Sequence, residues 1–201
     1  MLDQRQSRNA DRRGEAEKRM SLIRDLCKDP EALFQELVRA ICELTCADSG
    51  GVSLLDREQK KFVWPAVSGG LASYVGAGTP MDFGPCGTVL DRDEPVLFLH
   101  PERHFTYLVP IAPALEEVLL VPFHMNKEPV GTIWAVIHEK DKHFEPEDRR
   151  LLENLSEFAA TAYHVLTESG LLKTMLSKLP APKPVRSLTQ TDGNWSFKGE
   201  K

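Results

Sequence analysis

The sequence has no apolar run long enough to cross a membrane: the longest, Val118 to Phe123, falls far short of the roughly 20 residues that a spanning helix needs. Met1 to Arg13 is charged throughout and has no apolar segment behind it, so it does not read as a secretory signal. A cytoplasmic protein is the expectation. Lys and Arg form no block, and the net charge of -5 opposes a nucleic-acid surface, because binding phosphates needs a basic face. The four cysteines, Cys27, Cys42, Cys46 and Cys86, lack the C-x-x-C spacing of zinc or redox sites and are expected to stay free thiols. Cys42 and Cys46 stand one helical turn apart, but both suit a core-facing stripe. A G-x-S-x-G nucleophile elbow and a phosphate-gripping G-x-x-x-x-G-K loop are missing as well, which removes two common enzyme readings.

What remains suits a single globular domain. Hydrophobic residues make up 41% of the chain, enough to bury a sizeable core, and charged residues make up 27%. Residues 1–12 read as a flexible lead. Residues 13–29 read as a lead-in helix with a narrow stripe at Met20, Ile23, Leu26 and Cys27. Asp29-Pro30-Glu31 then has the cap, first-turn proline and first-turn acid of a new helix, running through Leu33, Phe34, Leu37, Ile41 and Leu44.

From Gly51 the period changes. Val52 to Leu55 and Phe62, Trp64 and Ala66 predict a hairpin. A glycine-rich stretch follows over residues 68–85 and reads as irregular. Cys86 to Arg92 predicts a short helix and Val96 to Leu99 a brief strand. Val118 to His124 and Val130 to Ile137 are apolar on nearly every position and predict central strands covered on both faces. Pro146, with Glu145, Glu147 and Asp148 around it, opens a long amphipathic helix. Its pattern continues weakly through residues 169–179 as a helical extension, and the proline-rich residues 180–201 read as a disordered tail.

In this order, residues 30–168 resemble a GAF domain. Pro85-Cys86-Gly87-Thr88-Val89-Leu90 with Asp93-Glu94-Pro95-Val96 is similar to that family's short helix and the strand after it. Val121-Pro122-Phe123 with Pro129-Val130-Gly131-Thr132-Ile133-Trp134 is similar to its strand pair, and Phe144 to Leu152 to its approach to the last helix. The resemblance implies an α+β fold: a central antiparallel β-sheet with the terminal helices packed on one face, and loops with a short helix around a ligand pocket on the other. It also implies a non-catalytic sensor in signal transduction, a homodimer formed through residues 13–45 and 150–178, and a small-molecule ligand or a signalling partner. The cofactor is left unknown.

Several chemistries known on this fold lack their residues here. Cyclic-nucleotide members carry an Asn, Lys, Phe, Asp, Glu motif before the last helix. This chain has Asp141, Lys142, Phe144 and Asp148, with Arg149 where the Glu would stand. The simpler reading is that Lys142 and Asp148 pair on the surface while Phe144 fills the core. Tetrapyrrole attachment uses a cysteine typically followed by histidine, whereas Cys86 precedes Gly87. Sulfoxide reduction needs a second cysteine downstream, and residues 111–117 contain none.

The remaining polar cluster is His100-Pro101-Glu102-Arg103-His104-Phe105. The two histidines have the i, i+4 spacing of a zinc pair, but Pro101 allows a helix only from its own position onward, so no metal site is assigned. Arg103 offers a fork for an anionic ligand and His104 a titratable donor. Candidate ligand-binding residues are Cys86, His100, Arg103, His104, Phe105, Tyr107 and Trp134, and no catalytic residue is assigned. Two alternatives stay open. One is an interaction or dimerisation scaffold whose pocket is filled by Phe83, Phe98, Phe105, Tyr107 and Trp134. The other is a thiol enzyme resting on Cys86 alone.

Overall fold

A computed structural model describes residues 2–181, 188–191 and 194–197. Asp11 caps the first helix, α1 (Arg12–Lys28), by accepting from the Gly14 amide at 3.0 Å. Asp29 ends it and caps the next turn through the Ala32 amide, so Pro30 starts a new direction. Helix α2 (Leu33–Thr45) buries Leu33, Phe34, Leu37, Val38 and Ile41 and stops where Cys46 turns left-handed.

Strands β1 (Ser49–Asp56) and β2 (Lys61–Gly69) form the hairpin, followed by the short helix α3 (Pro85–Arg92) and strands β3 (Val96–Leu99), β4 (Glu117–Met125) and β5 (Glu128–Ile137). The five strands make one antiparallel sheet in the order β2-β1-β5-β4-β3. Pro65 lies in an edge strand, where a missing N–H is tolerated. The outer edge of β2 is occupied by the glycine-rich segment: Trp64 N–H donates to Ala77 O and Phe62 N–H to Thr79 O, both at 2.8 Å.

Period-2 alternation splits the sheet into two faces, and both are covered. Val52, Leu119, Val121, Phe123, Ile133, Ala135 and Ile137 pack against α2 and helix α4 (Pro146–Glu168). Trp64, Val118, Leu120, Trp134 and Val136 pack on the other side against α3 and the loops, with Cys86 and Leu108 among their neighbours. The α+β arrangement is the one that the sequence resemblance implied.

Four details differ from the sequence expectations. Composition gives no reason for residues 2–11 to be held, yet Leu2 is buried, and Arg5 grips the buried Glu117 with two bonds of 2.8 Å and donates to Phe144 O at 2.7 Å. Arg8 pairs with Asp148 beside them. In α1 the inward residues are Glu15 and Leu22, while Met20 and Ile23 face solvent. The rotation follows from Glu15, which is fixed by Arg150 and Asn154 of α4. Leu26 and Cys27 lie outside the described side chains.

The extension of α4 is not continuous. Gly170 adopts φ 74, a left-handed conformation that favours glycine, and the chain reverses into helix α5 (Leu171–Ser177), which lays Leu172 and Leu176 back on the helical core. In the segment expected to be a disordered tail, strands β6 (Leu188–Thr191) and β7 (Asn194–Phe197) pair with each other. Residues 182–187, 192–193 and 198–201, on which that expectation also falls, lie outside the described residues. Among the described residues, no helix is long and apolar enough to cross a membrane.

Candidate functional site

The face opposite α2 and α4 carries a cavity of about 40 Å³. Its floor is Trp64, Val118, Leu120, Trp134 and Val136 of the sheet, and its roof is Cys86 of α3 with Leu108, Ile111 and Leu115 of the loop before β4. Thr79 and Leu71 close the side nearest β2. A water molecule takes about 30 Å³ in the liquid, so the space as it stands is water-sized. Ligand pockets for drug-sized molecules span roughly 300–1,000 Å³.

The two tryptophans meet edge to face, with ring centroids 5.4 Å apart. Trp134 Nε1 donates to Ser53 Oγ at 2.9 Å, and the Cys86 thiol also reaches that oxygen, at 3.4 Å. Ser53 is placed for this by a bulge: Val52 faces Ala66 and Leu54 faces Val63, so both Trp64 and Pro65 stand opposite Ser53. The indole of Trp64 is left without a partner. Its Nε1 is buried with no hydrogen-bond partner, whereas the Thr79 hydroxyl lies against the Tyr107 hydroxyl and the Cys86 thiol, and Thr132 against that thiol. A buried donor costs about 1–3 kcal/mol when left unsatisfied.

Burial pushes the Cys86 thiol up from its ordinary range, and contacts to Ser53, Thr132 and Thr79 offset this only in part. A protonated thiol is a poor nucleophile. Cys42, on the opposite side of the sheet in α2, is raised by burial to about 11. Among the described side chains, no second thiol stands beside Cys86.

Of the residues marked by sequence, Cys86 and Trp134 line the cavity. Tyr107 lies beside it, under Gly84, where a Cβ would come within 2.4 Å of its hydroxyl. Phe105 sits in an aromatic cluster with Phe83 at 5.5 Å and Phe98 at 5.8 Å, apart from the tryptophan pair. His100, Arg103 and His104 do not join the cavity. His100 Nδ1 is 3.7 Å from both Glu102 and Glu116, and Arg103 and His104 are exposed. Among the described residues, no group of three or more His, Cys, Asp or Glu side chains is placed to hold a metal ion. Lys142 pairs with Asp48, not Asp148, because Asp148 caps α4 through the Glu145 amide and holds Arg8. Phe144 fills the core, as expected.

Sequence reasoning missed Trp64 and Thr79. Trp64 reads only as an alternating strand residue, and Thr79 sits in a stretch whose composition signals nothing but turns.

A family model described as a GAF domain matches residues 27–164, well over half of the chain. No curated protein matches it. The GAF domain of a phosphoenolpyruvate-protein phosphotransferase from Coxiella burnetii superposes with a TM-score of 0.65 at 18% identity, covering 81% of this chain and 99% of that one. The corresponding domain from Acinetobacter gives 0.67 at 17%, covering 78% and 96%. A free methionine-R-sulfoxide reductase from Neisseria meningitidis, solved with its substrate, gives 0.58 at 16%, covering 84% and 99%. At these identities the likeness concerns the fold.

Proposed function

The chain belongs to the GAF domain family, and on that premise we propose that it is a non-catalytic sensor whose effector site is the cavity beneath α3. The observation that carries this reading is the cavity over the two tryptophans, lined by Trp64 with its indole N–H unpartnered. A route from the site to the helices supports it. On β4 and β5, residues that line the cavity alternate with residues that pack on the helices: Leu120 with Leu119 and Val121, Trp134 with Ile133 and Ala135. Close-packed interiors transmit small displacements, so a ligand that moves Trp134 moves the contacts of α4. The signal leaves through the terminal helices, to a second copy or to a signalling partner. The raised Cys86 thiol and the separation of Cys42 favour a site that binds without reacting.

A second reading has its own observation. The cavity is small, and Phe83, Phe98, Phe105 and Tyr107 crowd the adjoining space, as in a scaffold that has filled its own pocket. A thermal-shift screen followed by native mass spectrometry separates the two. The sensor gains several degrees with a compound that stays bound in the gas phase, whereas the scaffold is stabilised by none.

A further inference from the structure

We propose that the cavity takes an uncharged, ring-sized ligand bearing a hydroxyl, a phenol in chemical class, held between the tryptophan floor and the loop before β4, with its oxygen on Trp64 Nε1 and the Thr79 hydroxyl beside it. This rests on the sensor reading and names the ligand class for the same site. The walls exclude charge: apart from Thr79 and the thiol of Cys86, every lining residue is apolar, and an ion buried without a counter-charge costs far more than a neutral group. The polar groups of Trp64 and Thr79 set the rest. Trp64 Nε1 can only donate, so the ligand must accept there. Thr79 lines the cavity, and its hydroxyl, with that of Tyr107 behind it, both donates and accepts, so a ligand hydroxyl can use its proton as well. All three residues are more than nine-tenths buried, Trp64 at 6%, Thr79 at 4% and Tyr107 at 5% exposure.

A ring needs more room than the cavity offers as it stands, since about 150 Å³ admits benzene. The wall that can yield is the loop before β4. Its short turns bring Leu108 and Ile111 inward and leave Val109 outside at 59% exposure. The loop is tethered at two points, Ala112 N–H to Tyr74 Oη at 3.1 Å and Ala114 O to His138 Nδ1 at 2.7 Å. Between sheet and loop, the loop has the fewer backbone bonds to break.

The test is a nitrogen-proton NMR titration of the full chain, which has three indole N–H groups, Trp64, Trp134 and Trp195. The probes are phenol, toluene and benzoate. Phenol is expected to shift the Trp64 indole resonance downfield, to bind at least about tenfold more tightly than toluene, and to lose roughly tenfold in affinity in Trp64→Phe, the effect of one buried hydrogen bond. Thr79→Val, which keeps the side-chain volume, is expected to weaken phenol and leave toluene unchanged, and it serves if Trp64→Phe does not fold. Toluene binding as tightly as phenol would overturn the hydrogen-bonding assignment. Benzoate binding at the same resonances as tightly as phenol would overturn the uncharged class while leaving the sensor reading standing. If none of the three moves the Trp64 or Trp134 resonance, the phenol assignment falls, and the sensor reading stands or falls on the thermal-shift screen.

Discussion

Trp134 occupies the space that a side chain at Gly51 would need. The two residues face each other across β1 and β5, and a Cβ at position 51 would come within 2.1 Å of the indole ring. The absence of a side chain on one strand thus sets the position of the cavity floor on the next. Gly51→Ala is expected to destabilise the fold by about 1–3 kcal/mol, the usual cost of overpacking a core. Urea unfolding followed by tryptophan fluorescence measures both the loss and the displaced indole. An unchanged midpoint and spectrum would mean that Trp134 has another comfortable position.

The Arg5 and Glu117 pair predicts an acid-sensitive anchor. Burial would raise the Glu117 carboxyl, but bonds from Arg5, the Phe144 amide and His143 overcome this and hold it below the ordinary value of 4.5. A carboxyl lowered in the folded state adds stability that is present above its unfolded pKa and is lost as the pH falls through the folded one. Stability should therefore decline below about pH 4.5. Arg5→Ala removes the largest of those bonds and leaves a buried carboxylate under-paired. The expected loss at pH 7 is on the order of 2 kcal/mol, and the gap between the two proteins should narrow below about pH 4.5, because without Arg5 the folded carboxyl moves back toward its unfolded value. Thermal melts from pH 3 to 8 compare the two proteins.

Thiol labelling checks the inertness of Cys86. Cys46 is exposed and Cys86 is 3% exposed with a raised pKa. In the native protein a disulfide reagent at pH 8 should modify Cys46 within minutes and Cys86 only as fast as the protein opens. Fast modification of Cys86 would revive the thiol-enzyme alternative.

Association through the helices makes a mutational prediction. Met20 and Ile23 of α1 expose 52% and 46% of their surface. If copies pair there, Met20→Glu with Ile23→Glu should convert a dimer to a monomer while leaving the melting temperature of the monomer within a few degrees, because neither side chain belongs to the core. Light scattering behind size exclusion reads the mass. A wild-type monomer at high micromolar concentration would remove the helix-paired dimer.

The strands and helices were legible because their periodicity is strong: Val118 to Phe123 and Val130 to Ile137 could only be covered on both faces, and Pro146 marked the start of α4. The cavity was legible in part. Cys86 and Trp134 could be named, but Trp64 reaches it through a bulge opposite Ser53, and Thr79 through pairing of a glycine-rich stretch with an edge strand. Both are tertiary events that no local pattern records. The cluster from His100 to His104 drew notice for its composition, yet only Pro101 of it lines the cavity, while His100 faces Glu102 and Glu116 and Arg103 and His104 are exposed. Glu117 carried no signal either, since its partner Arg5 is more than a hundred residues away and its others come from the far side of β5.

The pairing of residues 76–80 along β2 bears on how copies of this protein can aggregate. One margin of the sheet is spoken for by the chain itself, and the other, β3, is only four residues long. Fibre growth by strand addition needs a long open margin, and here β3 and the end of β4 beyond it, interrupted by Pro122, offer only short ones. Under stress the protein should therefore resist amyloid-like stacking until the glycine-rich segment peels away, which makes that segment the first place to look for a proteolytic cut that precedes precipitation.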